Sequence, residues 1–332
     1  MRKLSRVLLI VFLLLLFGND HAAAASKVPD ITITPFLQEV RFNASEGTKK
    51  FDISLANGSK KAQDFNLSVV DFGSLDDSGG VVFSGSKASD LVKKYGLANW
   101  LQLSSPKIRI EAGQTSIIQA TIIDDVSLSP GGHYAAIVAS IVGDESPVGA
   151  QVSVNQKISS LILATKTGGE KYDMKLSKIE ANASLFSLPK SVILHFYNPG
   201  NVHVVPRGTV KVLSPSGQLI SQGVINQESG YVLPETTRQM TVDIRSIGPV
   251  GWQTGSYRVR VDYRYDGIDK YARKEQRLTF VNLFSFIALG LLLSLVILVI
   301  IKLKNSPKTG AYIAKCLRKL RTFKHGILQK RR

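Results

Sequence analysis

The chain has 332 residues, a formal net charge of +17 and a single cysteine, Cys316. Eleven of the positive charges lie in the last 31 residues and a net two in the first 25, which leaves +4 for the 255 residues from 26 to 280. The high charge belongs to the ends of the chain and gives no reason to expect nucleic acid, and one cysteine excludes a disulfide-stapled scaffold.

Arg2, Lys3 and Arg6 precede an apolar run over 7–17, then a polar patch with Asp20 and a row of small residues. This is the pattern of a secretory signal peptide over 1–25, with Ala23 and Ala25 forming the small-residue site and cleavage before Ser26. An exported region of 255 residues without cysteine is unlike a eukaryotic cell-surface module and points to a bacterial exported protein. Four Asn-x-Ser sequons, at Asn43, Asn57, Asn66 and Asn182, are read as surface loops or strand ends.

From 26 to 280 the periodicity is that of strands. Phe51, Ile53 and Leu55 alternate with polar neighbours, Asn57-Gly58-Ser59 marks a turn, and Phe65, Leu67 and Val69 resume the alternation, which predicts a hairpin. Further strands are predicted over 107–111, 115–123, 133–142 and 151–164, with one short helix over 89–99. After a Gly-rich break at 167–170, a second series follows over 172–179, 191–197, 209–213, 239–244, 257–265 and 277–280. The two series share a pattern. Gly113 precedes Tyr134 by 21 residues and Glu235 precedes Tyr257 by 22, in each case framing a turn, an alternating strand, a long connection and a Gly-x-Tyr start to the next strand. That predicts two tandem immunoglobulin-like β-sandwiches, 26–166 and 170–280, in an otherwise all-β fold.

In the second series Tyr257, Val259, Val261, Tyr263 and Tyr265 share one strand face, and Arg258, Arg260, Asp262 and Arg264 the other. The arginine row is read as the solvated face of a half-buried strand, with a wall polyanion as the alternative. The turn over 197–201, Tyr-Asn-Pro-Gly-Asn, links two strands of the second sandwich.

Val281 to Ile301 contains no charged residue in twenty-one positions, enough for a helix to cross the ~30 Å hydrocarbon core. Lys302 and Lys304 open a tail over 302–332 with eleven basic and no acidic residues, which places that tail in the cytoplasm and the preceding region outside. Within it Ile313, Cys316, Leu317, Leu320, Phe323 and Ile327 follow helical spacing between basic residues, a pattern that suits an anionic inner leaflet.

No motif supports catalysis. His133, His195 and His203 lack the closely spaced partners of a zinc site, Asp76-Asp77 lacks the ligand alternation of a calcium loop, and neither a nucleophile elbow nor a phosphate-binding loop occurs. A non-enzyme without cofactor or metal is expected.

The order of leader, first β region ending in LSPGGHYAAIVAS (128–140), second β region containing FYNPGNVHVVPRGTVKVLSPSGQLI (196–220), single span and basic tail resembles the WxL-interacting cell-surface proteins of bacteria. The resemblance covers nearly the whole chain. It implies a peptidoglycan-binding first domain and a second domain that binds a host or partner protein. The Trp-x-Leu signature of the partner proteins is absent at both Trp100 and Trp252, in keeping with the interacting class. Residues 105–122, SPKIRIEAGQTSIIQATI, also look like the sandwiches of pilus chaperones and sperm proteins. The expected protein is thus a single-pass, non-catalytic surface protein that binds peptidoglycan or a surface protein, or alternatively an extracytoplasmic chaperone that takes up client strands by β-addition.

Overall fold

The computed structural model describes residues 31–43, 45–84, 89–142, 157–248 and 253–305. The described chain is mostly β, with one long apolar helix at its C-terminal end.

The first unit holds β1 (Ile31–Thr34), β2 (Leu37–Phe42), β3 (Thr48–Asn57), β4 (Gln63–Ser74), β5 (Val81–Phe83), the short helix α1 (Asp90–Lys94), β6 (Leu101–Leu103), β7 (Lys107–Ile110), β8 (Thr115–Ile123), β9 (Gly131–Ile141) and β10 (Lys157–Lys166). One sheet has the order β1-β3-β8-β6, the other β2-β10-β9-β4-β5, with β7 also on β4. The chain changes sheet at the cis Thr34–Pro35 bond. Inward residues of both sheets, among them Phe42, Ile53, Leu55, Phe65, Ile110, Ile118, Ile122 and Ile137, form one buried cluster. Helix α1 follows its local chemistry: Ser89 caps it through Oγ, which accepts from Val92 N at 3.4 Å, with Asp90 in the first turn and Lys93 and Lys94 in the last.

The predicted hairpin over 51–69 does not form. β3 pairs with β1 and β8, whereas β4 pairs with β9, β5 and β7 in the opposite sheet. Asn57 holds the crossing. Its side chain is fully buried, donates to Lys61 O at 2.8 Å and Ile110 O at 2.9 Å, and accepts from Ser59 N at 3.1 Å. That sequon is therefore a buried clamp for a sheet-to-sheet crossing, whereas Asn43, Asn66 and Asn182 are exposed.

The second unit holds β11 (Lys175–Ala181), β12 (Ser191–Tyr197), β13 (Arg207–Leu213), β14 (Leu219–Ile225), β15 (Thr237–Asp243), β16 (Arg245–Ser246), β17 (Gly255–Arg264) and β18 (Ala272–Phe280). Its sheets run β11-β12-β15 and β16-β14-β13-β17-β18. Phe196, Val210, Val212, Tyr257, Val259 and Val261 centre its buried cluster. The shared sequence pattern has a structural counterpart. β8 and β15 each lie in the smaller sheet, and the strands the pattern leads to, β9 and β17, lie in the larger.

Helix α2 (Leu283–Asn305) follows. It starts two residues after Val281 and runs past Ile301 through Lys302 and Lys304. Its apolar side chains from Leu283 to Ile301 are exposed on every face, so the protein itself does not cover them.

Candidate functional site

β10 is the strand with the most unusual surroundings. β9 pairs with it along its whole length, from Lys157 opposite Ser140 to Lys166 opposite Gly131. On the other side parallel β2 begins only at Leu161 and ends at Lys166. Leu161 N donates to Phe36 O at 2.8 Å, so the outward-facing backbone groups of the free half, two and four residues earlier, are those of Ser159 and Lys157. Among the described residues no strand pairs with them. The side chains fit a sheet that could be extended: Ser160 is fully buried, Ile158 packs on the first core, and Phe36, 75% exposed, stands where β2 stops. The long edges β11 and β18 differ, since β18 carries Arg273, Lys274, Glu275 and Arg277, which discourage strand addition.

The outer face of the same sheet is apolar too, because both faces of β9 are buried. Phe72, Tyr95, Tyr134, Ala136 and Leu163 form a cluster against which Tyr231 and Leu233 of the second unit pack. Tyr134 Oη accepts from His203 N at 3.0 Å and contacts His203 Nδ1 at 3.3 Å. Burial holds His203 down to about 4 and pushes the Tyr134 hydroxyl well above its ordinary range. Lys94 Nζ at 2.5 Å and Tyr95 Oη at 3.0 Å both donate to Glu235, which adopts a left-handed backbone with φ 57°. Tyr231 Oη donates to Glu39, and together with burial this bond raises the tyrosine.

The Asn-Pro-Gly-Asn turn serves this seam and not only the second unit. Gly132 N donates to Asn201 O at 2.7 Å, and the Asn201 side chain donates to Gly169 O at 3.0 Å and accepts from Lys171 N at 2.6 Å. A cleft of about 400 Å³ opens beside it, with Glu39, Arg41, Tyr172, Arg207 and Asp266 in its walls. Both of its arginines are already matched: Arg41 binds Glu170 and Arg207 binds Asp266, both at 3.0 Å. Glu170 is lowered to about 2, chiefly by the backbone N–H groups of Glu170 and Gly169, with Arg41 contributing.

The three histidines occupy separate places. His133 lies between Gly96 O and Ser129 O, His195 is 2.9 Å from Glu180, and His203 is in the seam. No cluster of three or more metal-binding side chains occurs among the described residues. Asp76 Oδ1 accepts from Ser78 N at 2.8 Å in a solvated turn, and the Asp77 carbonyl accepts from Gln239 N across the seam. The arginine row is partly paired, Arg258 lying 3.9 Å from Glu275. Arg260 pairs with Glu275 and Arg273 with Asp262, both at 2.6 Å, and Arg264 lies over the Tyr271 ring. Ala23, Ala25, Ser26, Cys316 and the tail beyond Asn305 lie outside the described residues. Sequence reasoning did not find the free half of β10 or Phe36. The uninterrupted apolar run of β9 was the available signal that this sheet is covered on both faces.

No family model and no curated protein matches the chain. Among solved structures it is similar to a chain of the chaperone–tip adhesin complex of CFA/I fimbriae biogenesis, with 14% identity over 74% of this chain and 97% of that one and a TM-score of 0.40. It is also similar to the class 5 fimbriae chaperone CfaA, with 13% identity over 74% and 98% and a TM-score of 0.37. The E. coli chaperone DraB gives 12% identity over 74% and 98% and a TM-score of 0.34. Likeness at this level carries no weight for function.

Proposed function

We propose that this chain is a non-catalytic surface protein that captures an extended segment of a protein partner by strand addition at the free half of β10, while α2 tethers it to a membrane. In this reading the two units are tandem immunoglobulin-like sandwiches, the leader is removed before Ser26, and the basic tail from Lys302 lies in the cytoplasm against anionic lipid. Membership of the WxL-interacting class belongs to the same reading, on the sequence alone.

The observation that carries it is the mismatch between β9, which covers all of β10, and β2, which covers only Leu161 to Lys166. An incoming strand would satisfy the outward groups of Lys157 and Ser159 and meet the exposed Phe36 ring. A peptidoglycan ligand has less to support it, because two of the three arginines that suggested a polyanion, Arg258 and Arg260, already share Glu275.

The test uses the full-length protein in its producing cell, with a photo-crosslinking residue at Phe36 and the fully exposed Val126 as control. Discrete protein adducts at Phe36 but not at Val126 are expected, and Ser159→Pro, which removes an outward N–H without touching the β9 ladder, should reduce them at least tenfold. Adducts insensitive to Ser159→Pro would overturn the strand-addition reading. Sedimentation with wall sacculi that survives Ser159→Pro, without protein adducts, would return the assignment to wall binding.

A further inference from the structure

The connection between β11 and β12 contains a tight turn, Ser184-Leu185-Phe186-Ser187. Ser184 N donates to Ser187 O at 3.1 Å, Ser187 N donates back at 3.3 Å, and the two hydroxyls lie 3.1 Å apart. Two-residue turns favour Gly, Asn or Asp, which tolerate positive φ and hydrogen-bond their own backbone, and neither Leu185 nor Phe186 has a positive φ. Here both central positions are large and apolar, and Leu185 is 48% and Phe186 57% exposed.

The place of this turn explains its chemistry. Val281 N donates to Leu185 O at 2.6 Å, so the turn is fastened to the chain two residues before α2 begins. Asn282, nearly buried, is fastened on another side: its N–H donates to Thr254 Oγ1 at 3.0 Å. Its Oδ1 accepts from Phe284 N at 3.0 Å and Ser285 N at 3.4 Å, capping the helix. No flexible linker separates the second unit from α2. The apolar part of α2, from Leu283 to Ile301, spans about 28 Å at ~1.5 Å per residue, close to the full hydrocarbon thickness. Val281 and Asn282 therefore lie at its boundary, and a turn bonded to Val281 lies at the same level.

We infer that the Ser184–Ser187 turn is a membrane-docking element, in which Leu185 and Phe186 enter the interface of the leaflet beside the second unit and fix that unit's tilt on the bilayer. The inference rests on the reading of α2 as a membrane span. The partner is lipid at the headgroup and upper acyl level, where aromatic and aliphatic side chains on short loops are favourable. One consequence is mechanical. With the span and the turn as two attachments, joined through the Val281 bond, the second unit cannot swivel freely, and the first unit is held at a set height.

The test uses the full chain with Cys316→Ser, single cysteines at positions 186, 292 or 126 carrying an environment-sensitive fluorophore, and vesicles of phosphatidylcholine and phosphatidylglycerol with brominated acyl chains. Position 292 should be quenched by deep bromines. Position 186 should be quenched by shallow bromines at least threefold more than position 126, with a blue shift. Quenching at 292 with position 186 behaving like 126 would overturn the docking and leave the span intact. An unquenched 292 would overturn the span and the docking with it. A blue shift at 186 that appears only at high protein-to-lipid ratio, without quenching, would assign the turn to a second copy of the chain and overturn lipid docking. Because the label itself is apolar, Leu185→Asp with Phe186→Asp is measured in parallel, by energy transfer from position 126 to acceptor lipids. A broadened distance distribution in this variant is expected, and an unchanged one overturns the inference.

Discussion

The hydroxyl of Tyr134, on β9, meets both polar groups that His203 presents to the seam between the two units. It accepts from the His203 backbone N–H at 3.0 Å, and with the imidazole neutral it donates to Nδ1, 3.3 Å away. The rings meet edge to face at 5.7 Å, and both residues are buried.

Tyr134→Phe keeps the ring packing and removes the hydroxyl that serves both groups. Two buried polar atoms then lose their partner, so the variant should lose about 1–3 kcal/mol. Urea unfolding followed by tyrosine and tryptophan fluorescence measures this. Wild-type stability in the Phe variant would show that the hydroxyl contributes nothing to the seam.

The same contact predicts a pH dependence. Burial lowers His203 to about 4 from an ordinary value near 6.5. The unfolded chain therefore binds a proton more readily than the folded one, and stability rises with pH between these values. The contribution is fully present above about 6.5 and falls as pH drops towards 4, by up to roughly 3 kcal/mol. Thermal unfolding from pH 7.5 to 4 should show a decline in Tm that is shallower in His203→Asn. Parallel curves for the two proteins would refute the assignment, since Glu235 and Glu170, both lowered, lose stability with acid in both.

Lys166, the last residue of β10, is buried and lies 2.5 Å from the equally buried Asp124. Its ammonium also donates to Leu128 O at 2.7 Å and Asp125 O at 3.1 Å, which fixes the loop before β9. Lys166→Met leaves Asp124 as an uncompensated buried charge and should cost about 3–5 kcal/mol, whereas Lys166→Met with Asp124→Leu should recover most of that loss. Chemical denaturation of the three proteins tests it, and equal losses in the single and double variants would contradict the pairing.

Asn57→Ala should cost about 1–3 kcal/mol, because Lys61 O and Ile110 O lose a buried donor at the crossing from β3 to β4. Asn66→Ala, at an exposed position of β4, is the control and should stay within about 0.5 kcal/mol of wild type. Comparison of the two midpoints in urea decides the point.

The sequence by itself determined the elements that depend on neighbours along the chain. Alternation in β8, β12 and β17 reported half-buried strands, the uncharged stretch after Val281 reported an apolar helix, and the stretch 89–99 reported a short helix where α1 lies. The recurrence of the β8–β9 pattern in β15–β17 was legible because both pairs must cross between sheets over a long connection. Pairing was not legible. A period of two says that one face of a strand is buried, and says nothing of which sheet buries it, so β3 and β4 read as a hairpin although they lie in opposite sheets. β14, LISQGVI, was missed because its alternation is broken by Ser221, Gln222 and Gly223. Tertiary structure alone decided the seam around Tyr134, His203 and Glu235, the free half of β10 and the bond from Val281 to Leu185. Each of these depends on groups that are distant along the chain and acquire partners, or lack them, only when the sheets are assembled.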